Sequence, residues 1–168
     1  MASIGLMNAP RRDPCHHGPA RKTAMMRRLL LLQDLHRASD WAVLALRLFV
    51  GAFLVWGVWD NITSSARMDE FAKFLRHHGF AAPALMARLS VWAQFACGMA
   101  FIAGAFTRWA GIVCAFNFIV ALWMVDAQNG LRAAFPAGML VLFGLLMVTH
   151  GPGRHSLDAR WLARHFPN

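Results

Sequence analysis

Residues 41–59 read WAVLALRLFVGAFLVWGVW, an apolar run that Arg47 alone interrupts. A helix needs roughly 17–25 residues to cross the hydrocarbon core, so a span at about residues 41–60 is long enough. Three further apolar runs lie at about 84–106, 108–126 and 132–149. At about 1.5 Å of rise per residue, the four helices measure about 25–35 Å. The sequence therefore predicts an all-α integral membrane protein, a four-helix bundle.

The composition supports this prediction. Apolar residues make up 58% of the 168 residues and charged residues 15%, yet the net charge is +9. A nucleic-acid-binding protein is polar and basic over a face or stripe, and a disordered chain has low hydrophobicity, so both classes are disfavoured. Soluble proteins do contain helices that are apolar all round. Four of them in succession in so short a chain leave too little polar surface to cover them.

Basic residues are concentrated on one side of the predicted spans. Eleven of them lie in residues 1–40, at Arg108 and after the fourth span, whereas the connection at about 61–83 has its basic residues offset by acidic ones. Basic residues favour the cytoplasmic side, so both termini are predicted to be cytoplasmic. The even number of spans agrees with this topology.

The chain is predicted to form one transmembrane domain between two cytoplasmic tails. Residues 26–160 form the four-span domain, and residues 161–168 form the second tail. Residues 1–25 are rich in Pro, Arg and His and are predicted to be disordered. Residues 26–37 are predicted to form a short helix on the inner membrane surface. Met25 and Met26 are natural alternative starts, so the sequence leaves open whether residues 1–24 are translated.

The connection between the first two spans has a helical pattern. Apolar residues recur at helical spacing with charged residues opposite them, from Met68 to Arg76. Ser64 or Ser65 is placed to cap the start, and Gly79 to end the helix. The pattern predicts an amphipathic helix in the outer interface. Two interpretations stay open: the helix covers the bundle, or it is a lid or docking surface.

Three polar side chains fall inside the predicted spans. Counted from the cytoplasmic side at the helical rise, Arg47 lies at about 9 Å, Asn117 at about 13 Å and Gln94 at about 18 Å. These depths are within side-chain reach of one another, which suggests a cluster joining spans one, two and three. Such a cluster would either hold the helices together or contact a ligand, because polar groups in a membrane are functional candidates.

Four charged residues lie near the outer ends of the spans, namely Asp60, Arg88, Asp126 and Arg132. Two acids and two bases at similar depth are expected to pair. The resulting ring is interpreted either as a clasp that holds the helices together or as the mouth of a site.

Small residues in the spans predict close helix packing. They are Gly51, Gly57, Gly98, Gly104, Gly111, Ala115, Gly138 and Gly144.

The sequence indicates no resident cofactor. None of the eight histidines lies deep in a span, which argues against a haem held by two histidines. The Glu-x-x-His pattern of di-iron bundles is missing. Cys15, His16 and His17 are adjacent and lack zinc-ligand spacing, so no metal site is predicted. Catalytic residues stay unassigned.

Three segments resemble the DoxX family. The family's first span resembles Arg47-Leu-Phe-Val-Gly51 followed by Gly57. Its second span resembles Gln94-Phe-Ala-Cys-Gly98-Met-Ala-Phe-Ile-Ala-Gly104-Ala-Phe-Thr107-Arg108. Its terminal motif resembles Gly151-Pro-Gly-Arg154-His-Ser156-Leu157-Asp158. The resemblance implies a four-helix bundle in the bacterial cytoplasmic (inner) membrane. Family members often have Lys at the position of Asp60 and Glu at that of Gln94, so a divergent subgroup is expected.

The resemblance also implies association with membrane redox systems. The first hypothesis is a membrane subunit of a quinone-linked oxidoreductase, in which Arg47, Gln94 and Asn117 bind a quinone carbonyl and electrons come from a partner or from the quinone. The alternatives are a non-enzymatic membrane anchor or assembly partner, and a small-solute or proton transporter. Expected partners are the lipid bilayer, a partner protein subunit and a second copy of the chain, but no nucleic acid.

Overall fold

The computed structural model describes residues 36–125, 130–153, 156–158 and 164 of the chain. Within these residues five helices follow one another: α1 His36–Thr63, α2 Ser65–His77, α3 Pro83–Ala103, α4 Thr107–Met124 and α5 Leu131–His150. Four helical segments are long and apolar enough to cross a membrane: Ser39–Thr63 within α1, and the whole of α3, α4 and α5. The predicted all-α class with four spanning helices is confirmed.

Several predictions concern residues outside this description. The tail at 1–25 and the Cys15–His17 triplet lie wholly outside it, and of residues 161–168 only Arg164 is described. The helix predicted at 26–37 is described only at His36 and Arg37, which begin α1. Asp126 is also outside the described residues.

The second predicted span ends earlier than the apolar run does. α3 stops at Ala103 because Gly104 adopts a left-handed conformation with φ 70°, and its N–H bonds back to the Ala100 carbonyl. Glycine takes this conformation at little cost and often ends a helix. Only Ala105 and Phe106 separate Gly104 from α4, so α3 and α4 form an antiparallel hairpin.

The amphipathic helix predicted after the first span is present as α2. The Ser64 side chain accepts from the Arg67 N–H at its start, and Gly79 has φ 81° just beyond its end. Ala72 and Leu75 are buried against Ala87 of α3. The charged residues of α2 face outward, where Arg67 and Glu70 form an exposed ion pair at 3.1 Å.

Two close crossings of helix backbones hold the bundle together. A Cβ on Gly98 would lie 2.8 Å from the Gly51 carbonyl oxygen, and one on Gly144 would lie 2.7 Å from that of Gly111. Small residues allow this approach between helices in a membrane. Gly57 and Gly138 have nothing within 4 Å of such a Cβ. The prediction of close packing is therefore confirmed at the two crossings, which involve Gly51, Gly98, Gly111 and Gly144. It is wrong at Gly57 and Gly138.

Candidate functional site

The bundle has two ends, which we name by their helix termini. At the proximal end α1 begins, α3 ends, α4 begins and α5 ends, and the described residues 151–153 and 156–158 follow α5. At the distal end α2 packs on the beginning of α3. Each end carries one group of functional candidates.

A cavity of about 720 Å³ occupies the distal half of the bundle. This volume lies within the roughly 300–1,000 Å³ typical of small-molecule sites. The described residues that line it include no charged residue, and most are aliphatic or aromatic. Leu54, Gly57, Ala137 and Leu140 lie on its walls, and Phe71, Phe74, Leu75 and Phe80 come from α2 and the turn after it.

Two of the three predicted ligand-binding residues line this cavity. Gln94 and Asn117 are both part of its wall and both partly buried. The Gln94 Nε2 donates to the Ser90 hydroxyl at 3.0 Å, one turn earlier on α3. Ser90 also lines the cavity. The sequence reasoning missed Ser90, although its spacing of four residues from Gln94 puts both on one helix face.

Arg47, the third predicted residue, is placed elsewhere. Its side chain is only 1% exposed, and its Nε donates to the Phe101 carbonyl at 3.1 Å. Its Nη1 donates to the Pro152 carbonyl. Phe101 follows Gln94 by seven residues, a separation of about 10 Å along α3. Because a helical side chain tilts toward the N-terminus of its helix, Arg47 points to the proximal end and does not join the two amides.

These bonds make Arg47 part of a proximal network. The last carbonyls of a helix have no intrahelical donor, and Arg47 supplies one to Phe101 near the end of α3. A Cβ on Gly104 would collide with the Arg47 guanidinium. The network thus depends on a glycine at the position where α3 ends.

Asp158 completes the proximal network from the C-terminal segment. Its carboxylate accepts from the backbone N–H of Phe106 at 2.8 Å and of Thr107 at 3.0 Å. Its own N–H donates to the Gly104 carbonyl at 3.0 Å. The Asp158 carboxylate therefore caps the start of α4 from residues that follow α5, and a negative charge there also complements the helix dipole.

Replacing Asp158 by alanine is expected to destabilise the protein by about 1–2 kcal/mol, because two N–H groups at the start of α4 lose their acceptor. The free energy of unfolding in mixed detergent micelles measures this change. Leu157→Ala, at the exposed neighbouring residue, is the control and is expected to change it by less than about 0.5 kcal/mol. Equal stability of the native chain and Asp158→Ala would contradict the capping role.

The predicted ring of outer charges is not formed by its described members. Asp60, Arg88 and Arg132 are all exposed, and within residues 36–125 and 130–153 they make no ion pair with one another. Arg88 lies one turn into α3 with its side chain outside the bundle. An arginine near a helix end can reach the interface with its long side chain.

The fold and the cavity define a multi-pass helical membrane protein with an internal, uncharged cavity in one half. A family model, DoxX, matches residues 42–127, from within α1 to just beyond α4. The chain belongs to the DoxX family. Comparisons with curated proteins and with solved structures gave no match.

Proposed function

We propose that the protein is a membrane subunit of a quinone-linked redox system and that its distal cavity binds a quinone. The observation that carries this proposal is the pair of amides, Gln94 and Asn117, on the wall of a cavity in which Ser90 is the only other polar residue of the described lining. A quinone has two carbonyl acceptors on an uncharged ring. An apolar cavity with a few convergent polar groups suits such a ligand.

Each part of the cavity has a role in this proposal. The amide N–H groups of Gln94 and Asn117 donate to the quinone carbonyls, each bond contributing about 0.5–1.5 kcal/mol. Ser90 positions the Gln94 amide through the 3.0 Å hydrogen bond. The aromatic residues of α2 keep water from the ring. When bound, a quinone supplies two-electron, two-proton redox chemistry, and its electrons are exchanged with a partner subunit.

The proximal end faces the cytoplasm in this proposal, and the membrane is the bacterial inner membrane. The distribution of the basic residues supports this orientation. The distal cavity then lies in the outer half of the bilayer, with α2 above it.

A second function is favoured by the outer surface of α2. Its exposed residues include Arg67, Asp69, Glu70, Lys73 and Arg76, a mixed-charge surface suited to docking another protein. A non-enzymatic anchor that assembles a partner would use this surface and leave the cavity without a quinone.

Replacing Gln94 by leucine is expected to weaken quinone binding about tenfold or more, since one hydrogen bond is lost and the quinone carbonyl stays unpaired. The measurement is the dissociation constant of a benzoquinone with a ten-carbon tail, for protein in lipid vesicles. Asn117→Leu is expected to act in the same direction. Gly57→Leu tests the space itself, because Gly57 lines the cavity and a Cβ added there has no other atom within 4 Å.

The matched control is Asn61→Leu, which removes an amide from the distal end of α1 outside the cavity lining. This variant is expected to bind the quinone as the native chain does. Protein extracted in mild detergent and analysed for bound quinone and co-purifying subunits separates the two functions. A stable partner with no quinone, and native affinity in Gln94→Leu, would favour the anchor.

A further inference from the structure

The last spanning helix carries a proline on the wall of the distal cavity. Pro136 lies inside α5, in the second turn after the helix begins at Leu131, and it is part of the cavity lining. Ala133 and Ala137 of the same helix line the cavity as well. One face of α5 therefore forms a wall of the cavity, and the proline lies on that face.

This proline leaves one backbone carbonyl without its usual partner. In an α-helix the N–H of a residue donates to the carbonyl four residues earlier, and proline has no N–H. The carbonyl that loses its helical donor at Pro136 is that of Arg132. A backbone carbonyl is a strong hydrogen-bond acceptor, and in a membrane a freed one has to find a donor outside the helix ladder.

The Arg132 carbonyl lies on the cavity side of α5. Its carbon is bonded to the nitrogen of Ala133, and the carbonyl of a residue lies against the ring of a proline four positions later. Ala133 and Pro136 both line the cavity, so the free carbonyl lies between two lining residues. The side chain of Arg132 itself is exposed and is not part of the lining.

The acceptor on α5 differs in kind from the amides on α3 and α4. An amide side chain both donates and accepts hydrogen bonds, so Gln94 and Asn117 can bind a quinone oxygen or a quinol hydroxyl. A backbone carbonyl only accepts. A quinone has no O–H to offer it, whereas the reduced form, a quinol, carries two.

We propose that the Arg132 carbonyl accepts a hydrogen bond from a hydroxyl of the bound quinol. Pro136 thereby raises the affinity of the cavity for the reduced form relative to the oxidised form. The proposal rests on the proposed function, because the ligand is the one that Gln94 and Asn117 hold. Two electrons and two protons convert a quinone to a quinol, so tighter binding of the quinol makes a quinone in the cavity easier to reduce than it would be without this acceptor.

The proposal is tested with a benzoquinone that has a ten-carbon tail and with its quinol, whose dissociation constants are measured without oxygen in lipid vesicles. Pro136→Ala supplies the missing N–H, which is expected to donate to the Arg132 carbonyl and to occupy the acceptor. Quinol binding is expected to weaken about threefold to tenfold, as for the loss of one hydrogen bond. Quinone binding is expected to stay within about twofold of the native value. Because alanine suits a helix interior better than proline, this variant is expected to fold.

Two further variants separate the acceptor from the shape of the cavity. Pro136→Gly supplies the same N–H without a side chain and is expected to show the same selective loss of quinol binding. Ala133→Val is the matched control, because it fills space at the lining and leaves the helical hydrogen bonds in place. It is expected to change the binding of quinone and of quinol by the same factor.

The outcomes separate this proposal from the function on which it rests. Weakening of both forms by Gln94→Leu supports the site, and a selective loss of quinol binding in both Pro136 variants supports the acceptor. An unchanged ratio of the two dissociation constants in Pro136→Ala and Pro136→Gly, or the same change of ratio in Ala133→Val, would overturn the acceptor and leave the site intact. Failure of the native chain to bind either form would overturn both.

Discussion

Replacement of Arg47 by leucine is expected to destabilise the protein by about 2–4 kcal/mol, the largest effect of any single polar substitution in the bundle. The change leaves the Phe101 and Pro152 carbonyls without their donor. An unsatisfied buried polar group costs about 1–3 kcal/mol, and the partial exposure of Pro152 reduces its share. Lysine is expected to restore little, because its ammonium lacks the planar fork that reaches two separate carbonyls. The free energy of unfolding in mixed micelles is the measurement.

The control for this variant is Arg88→Leu, which removes an exposed arginine from α3 and is expected to be nearly neutral. Quinone binding by Arg47→Leu, measured under conditions where it is folded, gives a second readout. Because Arg47 lies outside the cavity lining, the affinity is expected to be native. A stable Arg47→Leu protein that no longer binds quinone would restore Arg47 as a ligand contact and contradict its structural role.

Replacement of Gly144 by alanine is expected to cost about 1–3 kcal/mol, as overpacking does in a close-packed interior. The new methyl group would lie 2.7 Å from the Gly111 carbonyl oxygen and 3.0 Å from the Ala115 nitrogen. Both are backbone atoms, which move only if α4 and α5 separate. Thermal unfolding in detergent, followed by loss of monodisperse protein, reports the effect.

Gly138→Ala, six residues earlier on α5, is the matched control, since nothing lies within 4 Å of its added methyl group. This substitution is expected to leave stability unchanged or slightly higher, given the better helix propensity of alanine. Loss of stability in both variants alike would contradict the role of the α4–α5 crossing.

The sequence predicts the spanning helices well because their signal is local. A run of apolar residues long enough to cross the membrane has few structures open to it other than a spanning helix. The four runs therefore predict α1, α3, α4 and α5. α2 was equally predictable, since Ser64 and Gly79 mark its two ends and its apolar residues recur at helical spacing. The end of α3 was missed by three residues because Ala105 and Phe106 are apolar beyond the glycine that stops the helix.

The grouping of the polar residues was less predictable, because the depth of a residue in the membrane does not say which way its side chain points. Arg47, Gln94 and Asn117 fall at overlapping depths, yet Arg47 turns toward the proximal end and its partners are backbone carbonyls. The partners of Arg47 are backbone carbonyls, which every residue has, so no residue type in the sequence marks them as its partners. Asp158 is similar: its partners are 52 and 51 residues away, and nothing between them points to a cap.

The Arg47–Pro152 hydrogen bond also bears on the order of events during synthesis. Its two residues are separated by 105 positions, and a ribosome adds about 5–20 residues per second. The first helix is therefore in the membrane for about 5–20 s before its arginine can meet this acceptor. Of the two carbonyls that Arg47 binds, only that of Phe101, 54 positions away, is available during this interval. Full pairing of the Arg47 guanidinium is thus a late step, available only to a chain translated beyond its last spanning helix.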